Sequence, residues 1–360
     1  MARWTDDPTE PVGTGIEEAR TLPASTYTDQ SVFETEQAQI FTDSWQYLGD
    51  ASALREPGDY ATHEIAGRPL FVMRHEDGDL RAFYNVCAHR GSKMLEGEGN
   101  ARRVRCPYHQ WSYNTDGTLA STPKSFTQGV RNQEVDEVCE YDPEENALES
   151  VAVAEVGPFV FCHLGADPTP FEAAYEGVAD GIADHGLADL ERVERVEPEL
   201  DCNWKVMVSN YLECDHCHAN HPTFVQNVDM DEYEIEVHDR HSVQHGPLVD
   251  EDGESRFYYL WPNFMLNIYG GGAGCSAYRV HPIDRETTVI VADYYARGGE
   301  RTEAYEEMFA TSQRLQAEDF ELVERQQQGV ASGAFSQGRL GPNEHAVHHF
   351  HRMVAAALED

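Results

Sequence analysis

The sequence predicts an α+β fold in which a short helical segment is followed by a strand-rich domain and then by a mixed domain. Strand-like runs bounded by turn residues are concentrated between residues 45 and about 165. After Pro168 helical patterns resume, and a block of strand-like runs follows between residues 256 and 295. A chain of 360 residues can bury one large core or two medium ones. We therefore expect three regions, 1–44, 45–165 and 166–360.

The first region predicts one clear helix. Asp29 can cap it, and Val32, Phe33, Gln37 and Ile40 then lie near one face. The second region begins with a strand at 45–48. Runs 69–75 and 79–84 are joined across an Asp-Gly pair, a second Asp-Gly pair at 116–117 predicts a hairpin, and a strand near 158–163 closes the region.

Two mixed pairs of cysteine and histidine mark the strand-rich region. Cys87-Ala-His89 and Cys106-Pro-Tyr-His109 are separated by sixteen residues and supply two thiolates and two imidazoles from two loops. In a Rieske [2Fe-2S] centre two cysteines hold one iron and two histidines hold the other. A structural zinc ion is an alternative, although zinc ligands usually come as Cys-x-x-Cys and His-x-x-x-His pairs. A disulfide between the two cysteines is another, which the absence of a secretion signal disfavours.

A second motif lies in the third region. Glu213-Cys-Asp-His216 is followed by His221-Pro222, and two imidazoles plus one carboxylate form the facial triad that leaves positions open on ferrous iron. Glu213 and His216 are three residues apart and would share a helix face. His216 and His221 are five apart, so both reach one metal only if the helix ends or distorts between them, which Pro222 favours.

Zinc and ordinary helix packing are the alternatives for this second motif. Cys214, Cys217 and His218 crowd around the two histidines and could complete a zinc site. Free thiolates beside an iron that handles oxygen would invite oxidation. We therefore expect Cys214 and Cys217 to be packing residues of the same helix.

The rest of the third region predicts antiparallel strands at 256–269, 276–281 and 287–295, and helices at 305–325 and 343–358. The glycine-rich stretch 270–274 predicts a hairpin, not a phosphate-binding loop, because no helix follows it. The chain thus carries no nucleotide-binding signal, so NADH or NADPH would act only indirectly, through a separate reductase.

The stretches Asn85-Val-Cys87-Ala-His89-Arg-Gly-Ser92 and Cys106-Pro-Tyr108-His109-Gln-Trp-Ser-Tyr resemble the Rieske domain of ring-hydroxylating oxygenase large subunits. Ser92 and Tyr108 stand where respiratory Rieske proteins carry an additional cysteine pair. The resemblance implies a Rieske domain at 45–165 and a mononuclear iron domain at 166–360, in which an antiparallel sheet wraps on helices in the helix-grip manner. Residues 1–44 would pack on that catalytic domain.

The same resemblance implies roles for the second motif. His216 and His221 would bind iron, and a carboxylate at Glu213 would link one subunit's cluster to the neighbour's iron within a homotrimer. Most members have aspartate there, and glutamate is associated with the branch that acts on quaternary amines. Asn210 resembles an uncoordinated asparagine near the iron. Asp319 is the best match for the third iron ligand, ahead of Glu318 and Glu321. A cluster of histidines near the end of the sequence is a distant competitor, and we expect it on a helix surface: His345, His348, His349 and His351.

The resemblance is closest to choline and glycine betaine monooxygenases and related demethylases. It rests on Asn203-Trp-Lys205, the Glu213 motif and Trp261-Pro262. It implies a terminal oxygenase that takes electrons from a flavin- or ferredoxin-type reductase and oxidatively demethylates a methylated amine such as glycine betaine. An aromatic ring-hydroxylating dioxygenase and a non-catalytic Rieske electron-transfer or iron-sensing protein are the alternatives. Six aromatic residues could form a cage for trimethylammonium, a slot for an aromatic ring, or plain strand core: Phe257, Tyr258, Tyr259, Trp261, Phe264 and Tyr269.

The charge of the chain is extreme. The net charge is -39, and only three lysines occur among 26 basic residues. Concentrated salt would screen the self-repulsion, so we predict a salt-requiring protein from a halophile. Neither a signal peptide nor an apolar run long enough to span a membrane is evident, which predicts a soluble cytoplasmic protein. Nucleic acid is not an expected partner of so acidic a chain.

Overall fold

A computed structural model describes residues 12–127, 140–249, 253–272 and 274–359. The chain divides into two compact units. The first unit contains the described residues up to Phe41 together with those from Pro170 onward, and the second contains Thr42–Thr169. None of the helices in the described ranges combines the length and apolar character needed to cross a membrane.

The second unit is built almost entirely of β-strands. Its seven-stranded antiparallel sheet has the spatial order Gln46–Asp50, Phe159–His163, Ser150–Val156, Leu80–Tyr84, Arg68–Arg74, Asp59–Ile65 and Glu98–Asn100. A three-stranded sheet comprises Val104–Arg105, Ser112–Tyr113 and Leu119–Ser121. Short helical turns lie at Ala51–Leu54 and Lys124–Thr127.

Both predicted Asp-Gly turns of this unit are confirmed. Arg68–Arg74 pairs with Leu80–Tyr84 across the first, and Ser112–Tyr113 pairs with Leu119–Ser121 across the second. In the second turn the backbone N–H of Thr118 donates to Asp116 Oδ1 at 2.9 Å, and Gly117 has a φ of +88°. A Cβ at Gly117 would lie 2.4 Å from the ring of Phe83, so both conformation and space favour glycine.

The first unit joins an eight-stranded antiparallel sheet to helices. The sheet order is Leu190–Val196, Thr288–Arg297, Gly274–Pro282, Phe264–Tyr269, Glu254–Leu260, His241–Pro247 and Glu234–Val237, and Glu199–Leu200 also pairs with Thr288–Arg297. The α-helices are Ser25–Thr28, Gln30–Glu36, Phe171–Ala174, Val178–Asp184, Trp204–Tyr211, Cys217–Asn220, Pro222–Asn227, Glu303–Ala331 and His345–Glu359. A π-helical turn spans Gln37–Phe41, and 3₁₀ turns span Ile16–Glu18, Leu187–Asp189, Gly270–Gly272 and Pro342–Glu344.

The N-terminal helix forms where the sequence predicts it. Its cap is confirmed, because the side chain of Asp29 accepts a hydrogen bond from the backbone N–H of Ser31 at 2.8 Å. Val32 and Ile40 are buried as expected. Glu36 is also fully buried and contacts helix Trp204–Tyr211 through Trp204, a feature that the apolar pattern does not reveal.

Helical structure resumes after Pro168 as predicted, at Phe171–Ala174 and Val178–Asp184, and helix Trp204–Tyr211 leads into the second motif. Strands Leu190–Val196 and Glu199–Leu200 separate these helices along the chain, and Glu234–Val237 and His241–Pro247 are further strands that the sequence did not indicate. Leu190–Val196 is rich in charged residues, so it lacks the apolar alternation typical of a strand. Its Arg195 forms two hydrogen bonds, of 2.6 and 2.7 Å, to the buried Asp293 on the neighbouring strand. The glycine-rich stretch after Tyr269 does form a hairpin, as predicted.

The salt requirement stays a prediction, and thermal unfolding tests it. Raising KCl from about 0.1 M to about 1 M shortens the Debye length from about 10 Å to about 3 Å, which suppresses repulsion among the 65 acidic residues. We expect the melting temperature to rise strongly over this range. Glycerol at matched osmolality is the uncharged control. A melting temperature that does not respond to KCl would contradict the halophilic interpretation.

Candidate metal centres and substrate cavity

The first pair of sulfur atoms lies in the core of the β-rich unit. Cys87 follows strand Leu80–Tyr84, and Cys106 follows strand Val104–Arg105. Both cysteines are buried, and neither forms a disulfide. The hydroxyl of Tyr113 lies 3.1 Å from Cys87 Sγ, a contact that sequence reasoning missed. The disulfide alternative for these two residues is therefore contradicted by the structure.

The imidazoles of the same two loops pack edge to face. The ring centroids of His89 and His109 are 4.7 Å apart. Trp111 stacks on His89 at 4.9 Å, and Phe126 lies edge-on to both imidazoles. His109 Nδ1 is buried and has no hydrogen-bond partner among the described residues. An imidazole nitrogen left unpaired in a buried site is what a metal ligand requires.

The environment of Cys106 also suits an iron–sulfur cluster. Burial raises the pKa of this thiol, but hydrogen bonds from the backbone N–H groups of His109 and Tyr108 and from the side chains of Cys87 and Ser92 outweigh burial and lower it. Hydrogen bonds to ligating sulfur are one of the ways in which proteins tune such clusters. The residues present therefore fit a Rieske cluster.

A single zinc ion does not fit these four residues. Among the described histidines, cysteines and acids, only His216, Cys217 and His221 bring three ligand atoms within 4.8 Å of one another. Four ligands of one tetrahedral zinc ion would satisfy that distance, because zinc bonds are about 2.0–2.3 Å long. Two cysteines and two histidines spread around a two-iron cluster would not.

The second motif forms a helical segment that is broken at His221, as predicted. Helix Trp204–Tyr211 ends before it, helix Cys217–Asn220 is a single turn, and His221 has φ and ψ of −118° and 66° before helix Pro222–Asn227 begins. Glu213 and His216 therefore share a turn and not a helix face, which corrects that detail. The break places both imidazoles on one side, with ring centroids 5.1 Å apart.

Asp319 lies against both imidazoles. Its Oδ1 is 3.3 Å from His216 Nε2 and 3.0 Å from His221 Nε2. Around one metal with bonds of about 2.1 Å, ligand atoms at right angles lie about 3.0 Å apart. Asp319 Oδ1 thus lies at the spacing of a neighbouring ligand from each imidazole nitrogen. The residues present fit a mononuclear iron.

The other nitrogen of each imidazole faces a second carboxylate. His216 Nδ1 contacts Glu213 Oε1, and His221 Nδ1 lies 2.8 Å from Glu318 Oε2. Such partners fix the tautomer and orientation of metal-binding histidines. Burial lowers the pKa of His216, but hydrogen bonds to Asp319 and Glu213 outweigh burial and raise it to about 9.

Asn210 supports the carboxylate of the group. Its Nδ2 donates to Asp319 Oδ1 at 3.2 Å. Burial raises the pKa of Asp319, yet hydrogen bonds from His216 and His221 outweigh burial and hold it below its ordinary value. The carboxylate is therefore kept ionised, as a metal ligand must be.

The remaining acid and histidine candidates for the third iron ligand lie away from His216 and His221. Glu321 is exposed and pairs with Arg325, away from the imidazoles. Expecting the late histidine cluster on a helix surface is wrong for two of its four members, since His348 and His351 are buried. His348 Nε2 lies 3.1 Å from the Val12 carbonyl, and burial lowers the pKa of His351 to about 3. Both serve packing within the first unit.

The two cysteines of the second motif are bonded to each other. Cys214 and Cys217 form a disulfide, which corrects the expectation that they are packing residues of one helix. Their sulfur atoms are thereby removed from the supply of free thiolates that a zinc site would need. His218, the other member of that alternative, is exposed.

A cavity of about 620 Å³ opens beside Asp319 and the two histidines. One face of helix Glu303–Ala331 lines it, at positions spaced three and four residues apart. Apart from the two histidines, its aromatic lining is Tyr211, Phe224, Tyr233, Phe257, Tyr269, Tyr278 and Phe320. Only Phe257 and Tyr269 were among the six aromatic candidates of the sequence, and Tyr258, Tyr259, Trp261 and Phe264 are buried elsewhere in the unit.

Comparison with known proteins gives matches over nearly the whole chain. The Rieske [2Fe-2S] domain family matches residues 44–133, and the ring hydroxylating alpha subunit (catalytic domain) family matches 187–247 and 227–360. The carnitine monooxygenase oxygenase subunit of Escherichia coli (strain K12) is 34% identical over 366 residues, which cover 96% of this chain and 95% of the relative.

Two further relatives extend the comparison. The chloroplastic choline monooxygenase of Arabidopsis thaliana is 31% identical, over 94% of this chain and 83% of the relative. A crystal structure of a quaternary ammonium Rieske monooxygenase in complex with L-carnitine has a TM-score of 0.81 at 33% identity, over 94% of this chain and 96% of that chain. The likeness thus includes both the fold and the order of the two motifs.

Proposed function

Because the chain belongs to the Rieske non-haem iron oxygenase alpha-subunit family, with a Rieske [2Fe-2S] cluster and a mononuclear iron, we propose that it oxidises a methylated or quaternary amine at a carbon next to nitrogen. Glycine betaine is the example that the sequence suggested. One observation carries the proposal: the cavity beside the His–His–Asp group combines seven phenylalanine and tyrosine side chains with acidic groups. Aromatic faces and carboxylates together favour a cation that cannot donate a hydrogen bond.

Each metal centre has a proposed set of ligands. Cys87 and Cys106 hold one iron of the cluster, and His89 and His109 hold the other. The mononuclear iron is held by three further residues: His216, His221 and Asp319. When bound, these groups supply single electrons and activate dioxygen. The protein itself orients the imidazoles through Glu213 and Glu318 and holds the ligating carboxylate through Asn210.

Electrons reach the chain from a separate reductase, and we propose that the working enzyme is a homotrimer. Glu213 supports this arrangement, because one of its oxygens contacts His216 while the other accepts from the backbone N–H of Asp215 at 2.6 Å. A carboxylate fixed in this way can receive an imidazole N–H from a neighbouring subunit. A strictly monomeric active enzyme would contradict this route.

A three-ligand binding titration tests the proposed substrate class. Choline and its uncharged carbon isostere 3,3-dimethylbutanol have the same shape but differ in charge, and benzoate stands for an aromatic substrate. We expect the fully loaded enzyme, followed by tryptophan quenching, to bind choline at least about tenfold more tightly than the isostere, because cation–π attraction is worth up to about 2 kcal/mol at a desolvated site. Binding of benzoate alone would instead favour ring hydroxylation.

Phe257→Leu is expected to reduce the preference for the charged ligand. Phe257 lines the cavity, and its ring centroid lies 5.9 Å from that of Phe224. Leucine keeps apolar bulk but removes the π face, so the choline-to-isostere ratio of dissociation constants should fall about threefold to tenfold. Phe264→Leu is the matched control, since Phe264 is buried in the adjacent strand and does not line the cavity. An unchanged ratio in Phe257→Leu would count against this ring.

A further inference from the structure

The carboxylates of the cavity wall have no lysine or arginine beside them in the described structure. Glu213, Asp319 and Glu307 line the cavity, and no lysine or arginine does so among the residues that the structure describes. Arg256 lies on a strand that contributes to the wall, but it is paired with Glu254 and does not line the cavity. The methyl group to be oxidised must face the iron that His216, His221 and Asp319 would hold, so a carboxylate at the other end of the ligand would meet no lysine or arginine among the described lining residues.

Several neutral hydrogen-bond donors of the wall are already used within the protein. Near the second motif, the hydroxyl of Tyr211 donates to Asn267 Oδ1 at 2.8 Å, and that of Tyr233 donates to Gln244 Oε1. Gln244 Nε2 donates in turn to the backbone carbonyl of Tyr211 at 2.6 Å. These polar side chains are turned toward one another, so their hydrogens are not directed at a ligand.

A second network closes the wall along the long helix. The hydroxyl of Tyr269 donates to Ser312 Oγ at 3.1 Å, and that of Tyr278 lies 2.7 Å from the same atom. Gln316 Nε2 donates to the hydroxyl of Tyr278 at 2.7 Å. These donors are therefore directed into the wall and not at a ligand, and the rings present their faces to the cavity.

We propose that this cavity selects methylated ammonium compounds that lack a carboxylate, such as choline-like amino alcohols, over betaines and carnitine. The inference rests on the proposed function and narrows its substrate class. A carboxylate at the end of the ligand away from the iron loses its hydration and finds no lysine or arginine among the described lining residues to replace it. A trimethylammonium group needs neither, because the rings and acids stabilise it. The hydroxyl of an amino alcohol can donate to the acceptors of the wall.

Choline and glycine betaine are the matched pair that tests this selection, because they share a trimethylammonium head and differ only in hydroxymethyl against carboxylate. With the fully loaded enzyme we expect dissociation constants at least about tenfold higher for glycine betaine and carnitine than for choline and tetramethylammonium. Equal or tighter binding of glycine betaine would overturn the inference and leave the proposed function standing. If no ammonium compound binds, the proposed function itself fails.

A charge placed in the wall gives an independent test. Thr311 lines the cavity and is partly buried, whereas Ala310 beside it on the helix is exposed and does not. Thr311→Lys should lower the dissociation constant of glycine betaine relative to choline by about tenfold, since it supplies the missing cation. Ala310→Lys adds the same charge outside the cavity and should leave the ratio unchanged. Equal shifts in both variants would show that general electrostatics, and not the wall, sets the selection.

Discussion

Asp319→Ala is expected to abolish turnover and to remove the mononuclear iron while leaving the Rieske cluster intact. Asp319 Oδ1 is the one carboxylate oxygen within 3.3 Å of Nε2 of both His216 and His221 in the described structure. Without it, two neutral imidazoles remain, which bind ferrous iron poorly. Activity should fall by at least about a thousandfold. Iron analysis and the visible spectrum of the cluster are the measurements.

The neighbouring acids of the same helix provide graded controls. Glu318 faces His221 Nδ1, so Glu318→Gln should retain iron and lose about tenfold to a hundredfold in iron affinity or activity. Glu321 is exposed and paired with Arg325, so Glu321→Gln should change little. Loss of iron in Glu318→Gln together with full iron in Asp319→Ala would exchange the roles of these two residues.

Lys205→Met is expected to destabilise the first unit by about 3–5 kcal/mol. In a chain with three lysines, this one is fully buried, and its Nζ lies 2.5 Å from Oε1 of the equally buried Glu36. Trp204 Nε1 donates to the other oxygen of Glu36 at 2.8 Å, and burial lowers the pKa of Lys205. Removing the lysine leaves a carboxylate buried without a cation. Chemical denaturation followed by tryptophan fluorescence measures the change.

Two further variants distinguish the cost of losing the ion pair from the cost of leaving one charge buried without a partner. Glu36→Gln combined with Lys205→Met removes both charges and keeps an oxygen acceptor for Trp204, so most of the stability should return. Arg325→Met breaks an exposed ion pair of the same unit and should cost less than about 1 kcal/mol. A double variant as unstable as Lys205→Met would show that packing, and not charge, dominates at this position.

The fold features that the sequence predicted correctly are those set by residues close together in the chain. Asp-Gly turns, the Asp29 cap and the break before Pro222 depend on neighbouring residues, and all of them form as predicted. Strand Leu190–Val196 was missed because its charged side chains are compensated by Asp293, a residue about a hundred positions later. No local pattern carries that information.

The candidate site shows the same division. Its histidines and cysteines could be found by spacing, whereas the partner roles of Glu318 and Tyr113 could not. The described rings of the cavity come from three helices, a loop and three strands, and only folding brings Tyr211 and Phe224 near Phe257. The disulfide of Cys214 likewise depends on the turn that replaces the expected helix. Spacing in the sequence therefore predicted the candidate metal ligands, whereas the lining of the cavity required the tertiary structure.

Metal and sulfide content is the most direct test of two separate centres in this chain. With one two-iron cluster and one mononuclear iron, we expect roughly three irons and two acid-labile sulfides per chain in the loaded enzyme. His216→Ala should lower iron to roughly two per chain and leave the sulfide unchanged, since His216 belongs to the second motif alone. Zinc in place of the third iron, or an iron content that His216→Ala does not change, would contradict the assignment of His216, His221 and Asp319 to a mononuclear iron.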